Sequence, residues 1–336
     1  MSDTRRLANQ LWGFLSRSEK PAAPPFRLWV DLTSRCNLRC AACPQRMLAE
    51  HQRRDMSDSL LQSLASQVGE MHCEVNLFHR GEPLLHPDFS RWIKCFRESG
   101  ARLVRLHTNA TLLSQARAEA LVAAGPDIVT LSIDTLDPVA YAAARKGADL
   151  MATLEGVRRL LAARAAAGGQ RPALALLLMG DQHWGPAAQQ RLTELQAAGL
   201  ERVVHRRPHN WGGAVEEWGA APRRPLPGRL HACTFPWYGL AVLSDGRVTP
   251  CPQDFFGDMT LGRADETPLR EIWQAQAARR LRRAQTAHAL ERYPVCEACD
   301  RPRRPTLLGL PREQLKNLFV ESIVSLPGRA GGRRRD

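Results

Sequence analysis

Seven of the nine cysteines in this 336-residue chain fall into two sets, Cys36, Cys40 and Cys43 near the start and Cys233, Cys251, Cys296 and Cys299 near the end. Any fold must bring each set together. The first set reads C-x3-C-x2-C, with Ala41 and Ala42 between its last two members. Three thiolates this close can ligate three irons of one cubane and leave the fourth iron open to a substrate or cofactor. A structural zinc site instead wants four ligands, usually as two nearby pairs, and no local fourth ligand accompanies these three. Clustered cysteines without a secretion signal point to metal ligation in a reducing compartment rather than to disulfides, and the odd total agrees.

The length is enough for one large domain plus a smaller one, and an apolar share of 44% is enough for a core. No apolar run approaches the ~20 residues that cross a bilayer, and the N-terminus lacks a signal-peptide pattern. The expectation is a cytoplasmic protein without membrane contact. A net charge of +13 raises the question of a nucleic-acid partner. Only Lys20, Lys94, Lys146 and Lys316 of the 47 basic residues are lysine, and the arginines run along the whole chain. That pattern reads as a compositional habit on solvated helix faces, not as a nucleic-acid footprint.

A proline-rich joint at 21–25 separates an N-terminal extension, 1–25, from the first strand-like run. Strands are expected at 26–32, 74–79, 102–107, 128–133, 173–179 and 202–206, with helices at 59–68, 89–98, 114–124, 150–167 and 187–198. Six β/α units in succession imply an α/β fold with a parallel sheet and helices outside, because parallel strands need crossover connections. Such a sheet curls into a barrel or part of one, with functional groups at the C-terminal strand ends. From about Trp211 the texture turns Gly, Pro and Trp rich, with one long helix expected at 268–287. The expected organisation is a barrel at 26–215, a second domain at 216–310, and a C-terminal helix with a basic tail at 311–336.

The second strand ends in His79-Arg80-Gly81-Glu82-Pro83-Leu84-Leu85-His86-Pro87 and the third in Leu106-His107-Thr108-Asn109-Ala110. The fourth ends in Leu131-Ser132-Ile133-Asp134, followed by Tyr141 and Arg145. With the cysteine loop after the first strand, this order resembles the radical S-adenosylmethionine (SAM) superfamily over roughly 26–301. The resemblance implies a six-stranded partial (β/α)6 TIM barrel whose open iron chelates the amino and carboxylate groups of SAM. An electron from that cluster would cleave a carbon–sulfur bond to give a 5'-deoxyadenosyl radical, which takes a hydrogen atom from the substrate. Gly81, Glu82 and Pro83 would then match the GGEP motif that holds the SAM amino group, with Arg80 in place of its first glycine. Asn109, Ser132, Asp134 and Arg145 would complete the cofactor site, Arg145 meeting the SAM carboxylate as a charged fork. Ala42 stands where many relatives place an aromatic residue that packs on the adenine.

The distal cysteines read Cys233, twelve residues, Gly246, four residues, Cys251, then Cys296-Glu297-Ala298-Cys299. They resemble the SPASM/twitch auxiliary domain, and four cysteines suffice to ligate one further 4Fe-4S cubane completely, making two clusters in all. Taken alone, the C-x2-C pairs fit a zinc ribbon as well. Between barrel and distal cysteines, at the end of the sixth strand, His205, Arg207, His209 and Asn210 are candidate catalytic groups, as base or orienting residues, against the alternative of a domain-joining turn. Cys73 and Cys95 read as buried structural thiols. The combined expectation resembles the twitch-type radical dehydrogenases of aminocyclitols and aminosugars. It is an oxidoreductase that dehydrogenates a small hydroxylated natural-product or sugar-like substrate, served by a flavodoxin- or ferredoxin-type reductant. Maturation of a ribosomal peptide and epimerisation are the alternatives. The latter is disfavoured because neither spare cysteine reaches the site to return a hydrogen atom.

Overall fold

The computed structural model describes residues 3–169, 171–180, 185–215, 230–307 and 310–311; the expected C-terminal helix and tail past Pro311 lie outside them. In chain order the first elements are α1 (Asp3–Leu15), β1 (Arg27–Val30), α2 (Asp58–Met71), β2 (Glu74–Asn76), α3 (Phe89–Glu98), β3 (Leu103–Thr108) and α4 (Gln115–Ala124). They are followed by β4 (Ile128–Asp134), α5 (Pro138–Ala144), α6 (Leu150–Ala166), β5 (Ala173–Met179), α7 (Pro186–Ala197) and β6 (Arg202–Arg206). A second group comprises α8 (Phe235–Tyr238), β7 (Gly239–Val242), β8 (Arg247–Thr249), β9 (Gly262–Arg263), α9 (Leu269–Gln274), α10 (Gln276–Ala287) and α11 (Pro294–Ala298). Helices α2, α4, α5 and α6 begin where the sequence offers a capping oxygen: Ser57, Ser114, Asp137 and Asp149 accept from the N–H of Leu60, Arg117, Ala140 and Ala152.

Strands β1 to β6 lie side by side in sequence order and pair in parallel, as in Leu28 against Val75 and Leu131 against Leu176. The two faces of each strand differ in chemistry. Leu28, Val30, Val75, Leu106, Leu131 and Leu176 are buried against the helices, each Leu or Val stabilising the fold by about 1.5–3 kcal/mol. The alternate residues Arg27, Trp29, Asn76, Arg105, His107, Ser132 and Leu177 face the lumen of the partial barrel. A lumen of cations, amides and aromatic rings is built to hold a ligand, not to fill itself.

The second group of elements does not stand apart as a separate sheet. Strand β7 pairs in parallel with β1 through Leu28–Leu240 and Val30–Val242, and β8 and β9 follow antiparallel, so one nine-stranded sheet runs through both. The single helix expected at 268–287 is two, broken at extended Ala275 (φ −64°, ψ 159°). The break is supported by Arg282, which is buried and donates to the carbonyl of Trp273 at the end of α9 in place of a helical N–H. Cys73 is buried in the core as expected, but Cys95 is only half-buried, its Sγ 3.8 Å from Gln62 Oε1 on the neighbouring helix.

The N-terminal extension, bland as sequence, folds back on the barrel. Phe14 of α1 packs edge-on against Trp237 at 5.5 Å, the Gln10 side chain donates to the Trp237 carbonyl, and Leu11 joins Phe14 in the wall of the lumen. Among the described residues no helix is long and apolar enough to cross a membrane.

Candidate active site

The loop after β1 brings Cys36, Cys40 and Cys43 to one wall of a cavity of about 350 Å³ inside the barrel. Three neighbouring elements hold it there. The N–H groups of Arg39 and Ala41 donate to the carbonyls of Lys146 and Ala144 at 3.0 and 2.9 Å. Asn109 donates to Asn37 at 3.0 Å, and Asn37 in turn to Thr111 at 2.8 Å. Gly81 lies so close that a Cβ there would sit 2.2 Å from the Thr33 oxygen and 2.3 Å from the Arg35 oxygen. No larger residue fits that approach without moving the loop. Burial pushes Cys36 up to about 11 and Cys43 up to about 12, so the bare thiols are protonated and metal loading must displace their protons.

Next to the loop, Glu82 is 2% exposed and accepts from the Leu84 N–H at 3.1 Å, the Thr108 hydroxyl at 2.7 Å and the Asn109 N–H at 2.7 Å. Burial raises its pKa while those three donors lower it. A carboxylate offers about four lone-pair sites, so one remains for a cationic group in the cavity. Strand β4 carries a bulge between Ser132 and Asp134, and Asp134 adopts φ 68°, a left-handed conformation rare outside glycine. The bulge turns the Asp134 carboxylate onto Arg145, which donates to it twice at 2.9 Å. Gly81, Glu82, Asn109, Ser132, Asp134 and Arg145 all line the cavity, whereas Pro83 opens a short turn behind it.

The distal cysteines gather on the auxiliary side. Cys233 precedes α8, Cys251 follows β8, and Cys296 and Cys299 lie on and just after α11. Burial, and then the neighbouring cysteine charges, push Cys251 and Cys296 well above the usual thiol range. Among the described residues no three such side chains converge tightly enough to hold a single metal ion. None of the four lines the cavity: Thr234 and Phe235 beside Cys233, and Pro252 and Gln253 beside Cys251, form the intervening wall.

The segment after β6 separates its four candidates. His209 and Arg207 line the cavity. The His209 ring lies 4.4 Å from that of Trp211, and its Nε2 is buried without a hydrogen-bond partner among the described residues. Burial, then the charges of Arg301, Arg304 and Arg206, hold its pKa well below the ordinary imidazole value. His205 is exposed, with Nδ1 3.3 Å from the Gly180 carbonyl, outside the cavity wall. Asn210 is buried but turned away, donating at 2.7 Å to the Ala298 carbonyl between the last two cysteines. His205 still belongs to β6 and pairs with Leu178, which packs into the core, so it lies on the helix side of the sheet, whereas Arg206 pairs with Met179 on the cavity side and the irregular chain beyond it brings Arg207 and His209 to the lumen.

Both halves match known protein families. The radical SAM superfamily matches residues 30–166, and the SPASM iron-sulfur cluster-binding domain matches residues 233–300. A PqqA peptide cyclase of Streptomyces rochei is 30% identical over 287 residues, covering 75% of this chain and 76% of that one. The chain belongs to the radical SAM superfamily. It also matches a probable GTP 3',8-cyclase of Methanococcus maripaludis, 30% identical over 136 residues, or 40% of this chain, spanning 45% of that protein's length. In fold it is similar to BtrN in complex with AdoMet and 2-DOIA, with a TM-score of 0.56 at 17% identity over 82% of this chain and 93% of that one. It is likewise similar to Streptococcus suis SuiB bound to precursor peptide SuiA, with a TM-score of 0.61 at 14% identity over 81% and 69%.

Radical SAM membership brings SAM and a 4Fe-4S cluster to the first site, and the SPASM domain brings further iron–sulfur to the second. The residues fit. Cys36, Cys40 and Cys43 on one wall would hold three irons of a cubane and leave the fourth to a cofactor, and Glu82 keeps one acceptor site for an ammonium group. Two departures from the family pattern also find a structural account. Arg80 donates through its backbone N–H and Nε to Asp31 at 3.1 and 2.8 Å and through Nη2 to Ser244 at 3.0 Å, joining the turn after β2 to the end of β7. At Ala42, where the family pattern has an aromatic residue, the indole of Trp211 lies alongside in the cavity wall, its Nε1–H donating to the Ala42 carbonyl at 3.0 Å. Sequence reasoning had not singled out Trp211. Its signal was the Trp-Gly-Gly run, which turns out to be three consecutive residues at positive φ.

Proposed function

We propose that this radical SAM protein is an oxidoreductase that dehydrogenates a small, hydroxylated and acidic substrate in the lumen. The observation that carries the reading is one cavity that touches the three-cysteine loop on one side and the flanks of Cys233 and Cys251 on the other. When bound, SAM with its cluster supplies a hydrogen-atom acceptor and a single auxiliary 4Fe-4S cluster, held by Cys233, Cys251, Cys296 and Cys299, supplies an electron acceptor. His209 is the proton acceptor: its imidazole is held neutral by burial and by the surrounding guanidinium groups, and it faces the cavity. Seven arginines line the cavity; Arg27, Arg80 and Arg145 are committed to Glu74, Asp31 and Asp134, so the positive balance rests on Arg105, Arg206, Arg207 and Arg301 beside Glu82. That balance favours a carboxylate- or phosphate-bearing substrate over a cationic aminosugar. The reading calls for a flavodoxin- or ferredoxin-type reductant and a place in the cytoplasm.

A second reading, oxidation of a peptide segment, is supported by the identity to a PqqA peptide cyclase over three quarters of the chain. Anaerobic turnover with SAM, reductant, and deuterated acidic sugars, hydroxy acids and acidic peptides separates the two. Deuterium in 5'-deoxyadenosine with a small-molecule product lighter by two hydrogens supports dehydrogenation. An isomer of unchanged mass would make the protein an epimerase, and a cyclised or cross-linked peptide would establish the second reading. His209→Asn is expected to lower the turnover number by about 10²–10⁴.

A further inference from the structure

Two adjacent residues after β6 each bind one of the two cysteine loops. Trp211 donates its indole N–H to the carbonyl of Ala42, between Cys40 and Cys43, at 3.0 Å. Asn210 donates its amide to the carbonyl of Ala298, between Cys296 and Cys299, at 2.7 Å. The Asn210 bond does not stand alone: its backbone N–H donates to Asp300 Oδ1 at 3.3 Å, and its Oδ1 accepts from the Asp300 N–H at 3.2 Å. Asp300 is fixed in turn by Arg304 at 2.6 Å, whose other bond reaches the Pro208 carbonyl at 2.6 Å.

The backbone is bent to make this possible. Trp211, Gly212 and Gly213 have φ of 50°, 63° and 90°. For a bulky residue such as Trp211 this conformation is strained and persists only where the surroundings impose it. A Cβ on Gly212 would lie 2.4 Å from Val295 Cγ1, and one on Gly213 would lie 2.6 Å from Ala298 Cβ, so both glycines are required by the approach of α11. The Trp211 ring also meets Phe255 edge-on at 5.3 Å, just beyond Cys251. This short segment thus touches the SAM-site loop and two of the three auxiliary cysteine segments at once.

We propose that Asn210 and Trp211 are a pair of positioning residues that set the separation and orientation of the two cluster-binding loops. The strained turn is retained because it places one hydrogen bond on each loop from neighbouring residues, with no flexible chain between them. The proposal depends on the two cysteine sites and not on the identity of the substrate.

The test is pulsed electron paramagnetic resonance of the dipolar coupling between the two reduced clusters in the reconstituted full chain, with iron content and thermal midpoint measured alongside. Trp211→Phe keeps an aromatic side chain but removes the N–H together with the five-membered ring that carries it; Asn210→Ala removes the bond to Ala298. Both are expected to keep full iron content while the distance distribution broadens to about twice the wild-type width, because the bond that selects one arrangement is gone. Trp211→His, which restores a ring N–H, is expected to narrow it again. A residue that served stability alone would lower the thermal midpoint and leave the distribution unchanged. A wild-type distribution in fully metallated Trp211→Phe would overturn the proposal, and that variant carries the test if Asn210→Ala does not fold.

Discussion

Replacing Gly81 by alanine tests how closely the turn after β2 supports the first cysteine loop. The added Cβ would lie 2.2 Å from the Thr33 oxygen, 2.3 Å from the Arg35 oxygen and 3.0 Å from the Arg35 nitrogen. All three are backbone atoms, so no side-chain rotation relieves the overlap. Ordinary carbon–oxygen contact begins near 3.3 Å, so the loop must retreat by about 1 Å. Overpacking of this kind costs about 1–3 kcal/mol. The retreat also stretches the 2.9 Å bond from the Glu82 N–H to the Arg35 carbonyl, worth about 1 kcal/mol. A total of about 2–4 kcal/mol is less than the stability of most domains, so the protein should fold. Cys36 follows Arg35 directly and is carried with it. Anaerobically reconstituted Gly81→Ala is expected to lose roughly four irons while keeping the auxiliary four, with a lower urea midpoint. Wild-type iron content together with an unchanged midpoint would refute the reasoning.

The Arg145–Asp134 pair, with side chains 10% and 6% exposed, should behave as a buried ion pair. Arg145→Gln is expected to destabilise the protein by about 3–5 kcal/mol by stranding a carboxylate, and adding Asp134→Asn to restore much of the loss; an additive double-mutant cycle in urea melts would contradict the coupling. His209 has a folded pKa below its unfolded value near 6.5, so the unfolded chain binds that proton more tightly. Its contribution to stability is present above about pH 6.5 and declines as pH falls from there toward the folded pKa, levelling off below it. Urea midpoints of wild type and His209→Asn should therefore converge or cross as pH drops through this window, and a constant difference would show that His209 charges freely in the fold.

The barrel was legible because its signals are local. Strands at 173–179 and 202–206 and the helix at 89–98 lie where their apolar patterns place them. Each cysteine and strand-end motif could be read because the family order fixes which loop follows which strand. What escaped was set by contacts remote in sequence. The break at Ala275 depends on Arg282 reaching a carbonyl nine residues back, and helical periodicity is blind to that. Helix α1 carries Leu11, Trp12, Phe14 and Leu15, but nothing in that run says which surface it packs on, and Phe14 finds its place only against Trp237. Polar residues at 205–210 looked equivalent as sequence, yet the packing of α11 against the Trp-Gly-Gly turn directs Asn210 to one cysteine loop and leaves His209 on the cavity. The edge pairing of β7 with β1 joins residues more than two hundred positions apart, and neither strand alone announces it.

The two cysteine sets are expected to hold two separate clusters, only the first of which meets SAM. Iron and sulfide analysis with electron paramagnetic resonance, with and without SAM, tests it in wild type, in Cys36→Ala/Cys40→Ala/Cys43→Ala and in Cys233→Ala/Cys251→Ala. The account predicts about eight irons in wild type and about four in each variant, with the SAM-responsive signal lost from the first variant and kept in the second. Four irons in wild type, all lost with the first three cysteines, or a SAM-responsive signal that survives without them, would contradict it.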